Sequence, residues 1–352
     1  MLKYSAKEFI KNPIKEKHSG FYLGADIGGT YSRFAVAAIK EGKPQIIFVL
    51  NFETSSTDSI IPLIKKTLDY SDKKYHINVR AACIGLAGII SESKDFVELT
   101  NAEWSISKKE IIDETYLQDV FLINDFEALG YGVNFLEKDN IKDVYQIRKG
   151  NSSKFQTKAL IGAGTGLGKS ILTYHKNLGC YIPISSEGGN SDFPYYNEFE
   201  SNLVRYIKEI RNISKPLVYE ELLSGRGIEG IYQFLCKKNK EEIKYDTAEL
   251  ISKNRKKDKN CKQTFELFSK FYARCAKNFA LDTLCKGGMY IAGGIAAKNK
   301  EIFESEKFIS EFNKGNRRED FLRNVPICIV LHQYTGLLGA CYAARLKCTE
   351  EE

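Results

Sequence analysis

The sequence predicts an α/β protein of two similar lobes with mixed β-sheets, and three observations carry that reading. An apolar run enters a glycine-rich turn and a β-branched run leaves it twice, over residues 21–39 around Asp26-Ile27-Gly28-Gly29-Thr30 and over 159–174 around Gly164-Thr165-Gly166-Leu167-Gly168. After the first of these hairpins, strand-like and helix-like stretches alternate, which places helical crossovers beside an antiparallel opening. With 352 residues the chain fits about two domains on the usual length prior.

The elements follow in order. Behind the first hairpin come a strand over 45–52, a helix near 58–70 and a strand over 79–86. Ser107 and Glu110 have the spacing of a capping box, opening a helix to about residue 116, and the strand 120–123 follows. Residues 126–135 read as a helix. The second hairpin leads into helical segments near 197–211, 228–238 and 262–284. A short strand over 289–292 meets Gly293-Gly294 before another helix, and the strand 327–331 and a terminal helix over 336–347 close the chain. The expected division is a small α/β domain of 1–135 plus 333–352 and a large one of 136–332, with an active-site cleft between them.

Composition narrows the partners. The net charge of +7 is modest for this length, and Lys and Arg are interleaved with Glu and Asp, as over 237–260. No aromatic stacking residues punctuate a basic stripe there, so solvated helix faces and a loop are expected, without a nucleic-acid partner. The longest fully apolar run, 81–90, is about half of what a bilayer requires and reads as a core strand and turn, so no membrane partner is expected. Residues 1–19 lack an apolar stretch of the signal-peptide kind and read as a short amphipathic extension. The nine cysteines are scattered, without Cys-x-x-Cys spacing, which argues for reduced thiols in a cytoplasmic protein.

Two familiar nucleotide motifs are approached and missed. Ala163-x4-Gly168-Lys169-Ser170 nearly satisfies the P-loop pattern, but that mechanism needs a helix directly after Lys-Ser, and the β-rich Ser170-Ile171-Leu172-Thr173-Tyr174 continues a hairpin instead. Gly24-x-x-x-Gly28-Gly29 lacks the Rossmann spacing and is also followed by a strand. His18, His76, His175 and His332 stand isolated, without zinc-ligand spacing.

Residues able to carry chemistry gather at the turns. Asp26 closes the first strand at a glycine turn, where a carboxylate can hold Mg²⁺ through water while backbone N–H groups meet a phosphate, or can serve simply as a turn former. Asp125 ends the buried run Phe121-Leu122-Ile123-Asn124, as a general base beside a cleft or as a helix cap. Ser186-Glu187-Gly188-Gly189-Asn190, and Glu220 ahead of Ser224-Gly225-Arg226-Gly227, hold the carboxylates and amides that grip neighbouring hydroxyls of a polyhydroxyl ligand; taken singly, each reads as a solvated turn.

Taken together and in order, these motifs resemble the bacterial-type glucokinase family. The resemblance rests on Gly24-Ala25-Asp26-Ile27-Gly28-Gly29-Thr30, Leu99-Thr100-Asn101-x-x-Trp104, Leu122-Ile123-Asn124-Asp125-Phe126 and Gly162-Ala163-Gly164-Thr165-Gly166-Leu167-Gly168. Glu187-Gly188-Gly189, Leu223-Ser224-Gly225-x-Gly227, Tyr290-Ile291-Ala292-Gly293-Gly294-Ile295 and Gly336-Leu337-Leu338-Gly339 extend it to almost the whole chain. It implies the two-lobed actin-like (RNase H-like) ATPase fold and phosphoryl transfer from ATP, with Mg²⁺, to glucose. It further implies Asp125 as the base toward the sugar 6-hydroxyl, with Asn101, Asn124, Glu187, Asn190 and Glu220 on the sugar. Asp26, Gly28, Gly29 and Thr30 with Gly164, Thr165, Gly166 and Gly168 would face the ATP phosphates, Gly293 and Gly294 the adenosine, and a homodimer would be expected.

One position departs from the family pattern. Where the family usually has Glu-Gly-Gly-His, this chain has Asn190. Asn donates and accepts hydrogen bonds but is shorter and does not titrate, which bears on selectivity at C1 and C2 of the sugar. The related ROK kinases carry a Cys-x-Cys-Gly-x-x-Gly-Cys zinc motif, and nothing like it follows Glu187, against a hexosamine kinase or a repressor of that branch. A kinase with another hexose or another phosphoryl donor stays open. A non-catalytic sugar sensor would have no use for a base at position 125.

Overall fold

Three intervening residues between β2 (Phe21–Ile27) and β3 (Tyr31–Lys40) force an antiparallel pair, Phe21 opposite Ala38 and Ile27 opposite Ser32. The computed structural model of the protein describes residues 2–15, 18–91, 93–99, 105–137 and 139–350. The described chain forms two units, Met1–Leu136 with Asn177–Pro183 and His332–Glu352, and Glu137–Lys176 with Ile184–Leu331.

In the first unit, β1 (Tyr4–Glu8), β2, β3, β4 (Lys43–Glu53), α1 (Ile61–Tyr75) and β5 (Ala81–Leu86) follow in chain order. Next come β6 (Gly88–Ile90), β7 (Phe96–Leu99), β8 (Ser105–Ser107), α2 (Lys108–Glu114), β9 (Asp119–Asn124) and α3 (Asp125–Gly132). The main sheet runs β1-β4-β3-β2-β5-β9. The hairpin strands pair antiparallel, and β5 and β9 are delivered by helical crossovers, β5 pairing parallel with β2 and β9 parallel with β5. The helix expected near 58–70 is α1, and Ser107 caps α2 by accepting from the Glu110 N–H.

Both faces of this sheet are covered at β3. Phe34, Val36 and Ala38 of β3 pack with Leu63, Ile64 and Leu68 of α1, while Ala35 and Ala37 meet Leu337 and Cys341 of the C-terminal helix, Thr335–Glu350. That helix also lies against α3 at very close range. A Cβ built on Gly339 would stand 1.8 Å from the Ala128 carbonyl oxygen, and one on Gly132 would stand 1.9 Å from the Thr335 carbonyl oxygen. Gly339→Ala is therefore expected to destabilise the first unit by about 3 kcal/mol or more, because backbone blocks every relaxation of the clash. Thermal unfolding of that variant within about 1 kcal/mol of wild type would refute this packing.

Two expectations are corrected here. Part of the presumed N-terminal extension is β1, an edge strand pairing antiparallel with β4. All five of its side chains are exposed, so no hydrophobic alternation betrays it. Glu8 at its end accepts from Tyr70 Oη at 2.6 Å and pairs with Lys74 of α1. The turn expected after residue 86 is followed by β6, which joins β7 and β8 in a small antiparallel sheet.

The second unit contains β10 (Val144–Arg148), β11 (Lys158–Ala163) and β12 (Leu167–His175). The strand β13 (Cys180–Ser186) ends in it, and α4 (Glu198–Ile210), α5 (Gly225–Asn239), α6 (Ala248–Asn254) and α7 (Lys259–Thr283) follow. Next are β14 (Gly288–Ala292), α8 (Gly294–Lys298), α9 (Lys300–Glu304), α10 (Glu306–Asn313), α11 (Glu319–Asn324) and β15 (Ile327–Val330). Its strands lie in the order β10-β15-β14-β11-β12, with β11 antiparallel to β12 and parallel to β14. One face is covered by α7, whose Phe268, Phe271 and Tyr272 are buried with Leu203 of α4 and Ile231 of α5. No helix among the described residues is long and apolar enough to cross a membrane.

Candidate active site

In the first unit the candidate groups sit where three parallel strands end in one row. Register pairs Asp26 of β2 with Gly85 of β5 and Gly85 with Ile123 of β9, and Asn124 and Asp125 follow directly. At a strand spacing of about 4.8 Å, β2 and β9 end about 10 Å apart with β5 between them. Ligands of α/β sheets characteristically bind beyond such carboxyl ends. Gly85 brings α3 close, since a Cβ there would meet Ala128 Cβ at 3.1 Å.

The cap of α3 is Asn124, whose Oδ1 accepts from the Phe126 N–H at 2.8 Å. Asp125 is the first helical residue, partly exposed, and its Oδ1 accepts from the same N–H at 2.9 Å. This position lies where helix N–H groups attract negative charge. Asp26 is partly exposed beside the 28–30 turn. Burial pushes its carboxyl up from the ordinary value, opposed by the charge of Arg33 across the hairpin.

The turn itself is held by residues that sequence reading missed. Thr54 Oγ1 donates to the Gly28 carbonyl at 2.7 Å, its N–H donates to the Thr30 carbonyl at 2.9 Å, and its hydroxyl lies 2.9 Å from Ser32 Oγ. Gly29 and Thr30 are left exposed at the tip. Thr54 stands 24 residues from the motif it clamps, and no local pattern marks it.

In the second unit a similar turn is tied to three loops. Gly164 N–H donates to the Gly166 carbonyl, and the Gly164 carbonyl accepts from the Gly225 N–H at the start of α5, both at 2.9 Å. Leu167 N–H donates to Glu220 Oε2 at 2.9 Å, and Arg226 donates to Glu220 Oε1 at 3.1 Å. Gly189 packs on the opposite side of Leu167, where an added Cβ would lie 2.1 Å from the Leu167 carbonyl oxygen, so a larger residue cannot occupy that place. Glu187 Oε2 accepts from Asn190 Nδ2 at 3.2 Å, and both residues are exposed. The loop after Asn190 is joined to the Glu220 segment by Tyr219 N–H to Ser191 at 2.9 Å and Phe193 N–H to Leu217 at 2.7 Å. Gly293, at φ +92°, follows β14 next to the Ala163 carbonyl, and Gly294 opens α8.

Each unit thus assembles one part of the expected set. Asp26, Gly28, Gly29, Thr30, Asn124 and Asp125 gather in the first. Glu187, Asn190, Glu220, Gly164, Thr165, Gly166, Gly168, Gly293 and Gly294 gather in the second. Asn101 lies outside the described residues. Strands β3 and β12 follow the two turns directly, as the rejection of the Rossmann and P-loop patterns requires.

The family profile described as Glucokinase matches residues 23–347. A glucokinase of Nostoc punctiforme is 30% identical over 348 residues, covering 92% of this chain and 99% of its own. That of Neisseria gonorrhoeae is 32% identical over 332 residues, covering 93% and 96%. Among solved structures, a glucokinase from an Antarctic psychrotroph superposes with a TM-score of 0.78 at 25% identity, covering 93% of this chain and 99% of that one. The glucokinase of Balamuthia mandrillaris in complex with glucose gives 0.79 at 22% identity, covering 93% and 94%. A ROK family glucokinase from Streptomyces griseus, in complex with glucose and AMPPNP, gives 0.54 at 18% identity, covering 93% and 100%. The likeness in fold is that of the actin-like sugar kinases, with mixed sheets and helices.

Proposed function

Because this chain belongs to the glucokinase family of sugar-kinase phosphotransferases, we propose that it transfers the γ-phosphoryl group of ATP to the 6-hydroxyl of glucose, giving glucose 6-phosphate and ADP. The row of strand ends that sets Asp26 and Asp125 about two strand spacings apart carries this reading. One carboxylate stands beside a glycine turn, and the other opens a helix where an acceptor alcohol would approach.

In the proposed reaction Asp125 accepts the proton of the sugar 6-hydroxyl as its oxygen bonds to the γ-phosphorus, and the bond to the β,γ-bridging oxygen breaks, releasing ADP. Asn101, Asn124, Glu187, Asn190 and Glu220 hold the remaining hydroxyls. Backbone N–H groups of 28–30 and 164–168 face the phosphates, and Gly293 and Gly294 face the adenosine.

Asp26 fits a metal held mainly by substrate and water. Its carboxylate takes no side-chain hydrogen bond among the described residues, and no cluster of three or more ligating side chains stands there. Mg²⁺ bound at Asp26 would supply charge neutralisation for the phosphoryl group. Buried thiols such as Cys275, pushed up to about 11 by burial, suit a reducing cytoplasm. A homodimer is the family expectation, read directly by light scattering.

Thr54→Val should raise the KM for ATP about tenfold, since the Gly28 carbonyl loses its donor and the turn its clamp. Initial rates over an ATP series test this, and an unchanged KM would remove Thr54 from the site. The function itself is tested by a coupled assay of ATP with a panel of hexoses, on wild type and Asn190→His. Glucose turnover by wild type is expected, with a changed ratio of glucose to 2-deoxyglucose and mannose in the variant. No turnover of any hexose would refute the function.

A further inference from the structure

The lysine of the spurious P-loop pattern has a different use. Lys169 lies on β12 with 5% of its surface exposed. Its Nζ donates to the Gly188 carbonyl at 2.8 Å, and stands 5.6 Å from the ring centroid of Tyr219 and 5.2 Å from that of Phe279. Its charge also acts on the thiol of Cys275 on α7, opposing the upward push of burial there. Its partners are a carbonyl and two aromatic faces, with no carboxylate among the described residues.

A buried ammonium is costly, and a neutral side chain of equal length would fill the slot without that penalty. What the charge does here follows from its neighbours. Gly188 follows Glu187 directly, and Tyr219 precedes Glu220 directly, so one cation touches both loops that present a carboxylate. Fixing the Gly188 carbonyl fixes the Gly188–Gly189 peptide plane, between Glu187 and Asn190, while Gly189 is pressed on the Leu167 carbonyl. The Glu187 to Asn190 bond closes the same loop at 3.2 Å. Cation–π contact on both rings ties the same ammonium to the Glu220 segment and to α7.

We propose that Lys169 is a positioning residue for sugar recognition, its ammonium setting Glu187 and Asn190 against Glu220 so that the three grip neighbouring hydroxyls of one hexose. This rests on the assignment of those loops to the sugar. It differs from a P-loop lysine, which acts on phosphate, and the difference is measurable.

The test compares wild type with Lys169→Met in steady-state kinetics with glucose and ATP, alongside thermal unfolding. The KM for glucose is expected to rise about 10- to 100-fold, the range for losing a hydrogen bond from a charged donor, while the KM for ATP stays within about threefold. A glucose KM within about twofold of wild type, or equal rises in both KM values, would overturn the proposal. If Lys169→Met does not fold, Phe279→Leu, which removes one ring from the ammonium, reads the same split. A rise of about threefold or more in the glucose KM alone supports the proposal, and no change in either KM overturns it. A wild type that turns over no glucose counts against the function and the proposal together. An active wild type with an unaffected variant counts against Lys169 alone.

Discussion

Asp125→Asn is expected to lower kcat for glucose phosphorylation by about 10²- to 10⁴-fold, the range attributed to a positioned general base. The substitution keeps the size of the side chain and an oxygen for the Phe126 N–H, which the carboxylate accepts from at 2.9 Å. Asn124 continues to cap α3, so the helix start survives. What is lost is the capacity to take a proton. Most of the effect should therefore fall on kcat, with both KM values changing far less, since backbone turns and the other polar groups still bind the substrates. Equal losses spread over kcat and the glucose KM would point instead to a binding role for Asp125.

The largest effect on stability is expected at Glu200→Gln. Arg274 of α7 is completely buried and is surrounded by acceptors. It donates to both oxygens of Glu200 on α4, at 2.9 and 3.0 Å, to Glu311 on α10 at 3.1 Å and to the Pro194 carbonyl at 2.7 Å. Its guanidinium also lies 3.7 Å from the ring centroid of Tyr196. Removing one charge from such a buried group leaves the guanidinium undercompensated, which costs about 3–5 kcal/mol. The second unit should unfold about 10 °C lower as a result.

The same network dictates a pH dependence. Burial alone would push the Glu200 carboxyl up, but bonds from Arg274, Lys270 and the Tyr196 N–H overcome it and hold the group down to about 2. Its folded value lies below the ordinary 4.5, so its stabilisation is present above about 4.5 and disappears as the pH falls toward 2. The gap in melting temperature between wild type and Glu200→Gln should accordingly narrow when the pH is lowered from about 5 to about 3. A temperature gap that is constant over that window, or a destabilisation under about 1 kcal/mol at neutral pH, would contradict the ion network.

Legibility in the sequence followed the range of the interactions involved. Both hairpins, α4, α7 and the parallel strands β5 and β9 are readable because burial of one or both faces imposes a period on nearby residues. Strand β1 is not readable, since its five side chains are exposed and carry no buried alternation. The strand β10 lies in a mixed stretch with Val144 alone fully buried, so no alternation marks it. At the site, glycine turns and strand-end carboxylates announce themselves by local chemistry. The groups that hold them do not. Thr54 clamps a turn from across a hairpin, Glu220 bonds a turn from 53 residues away, and Lys169 becomes intelligible when its carbonyl and aromatic partners are in place.

The most direct measurement is ³¹P NMR of glucose, ATP and Mg²⁺ incubated with wild type or with Asp125→Asn at equal concentration. Wild type should convert the ATP signals into ADP and glucose 6-phosphate in equal amounts, and the variant should leave ATP intact over the same interval. ADP accumulating with inorganic phosphate in place of the sugar phosphate, or a variant as fast as wild type, would contradict Asp125 as the base that directs the phosphoryl group to the sugar.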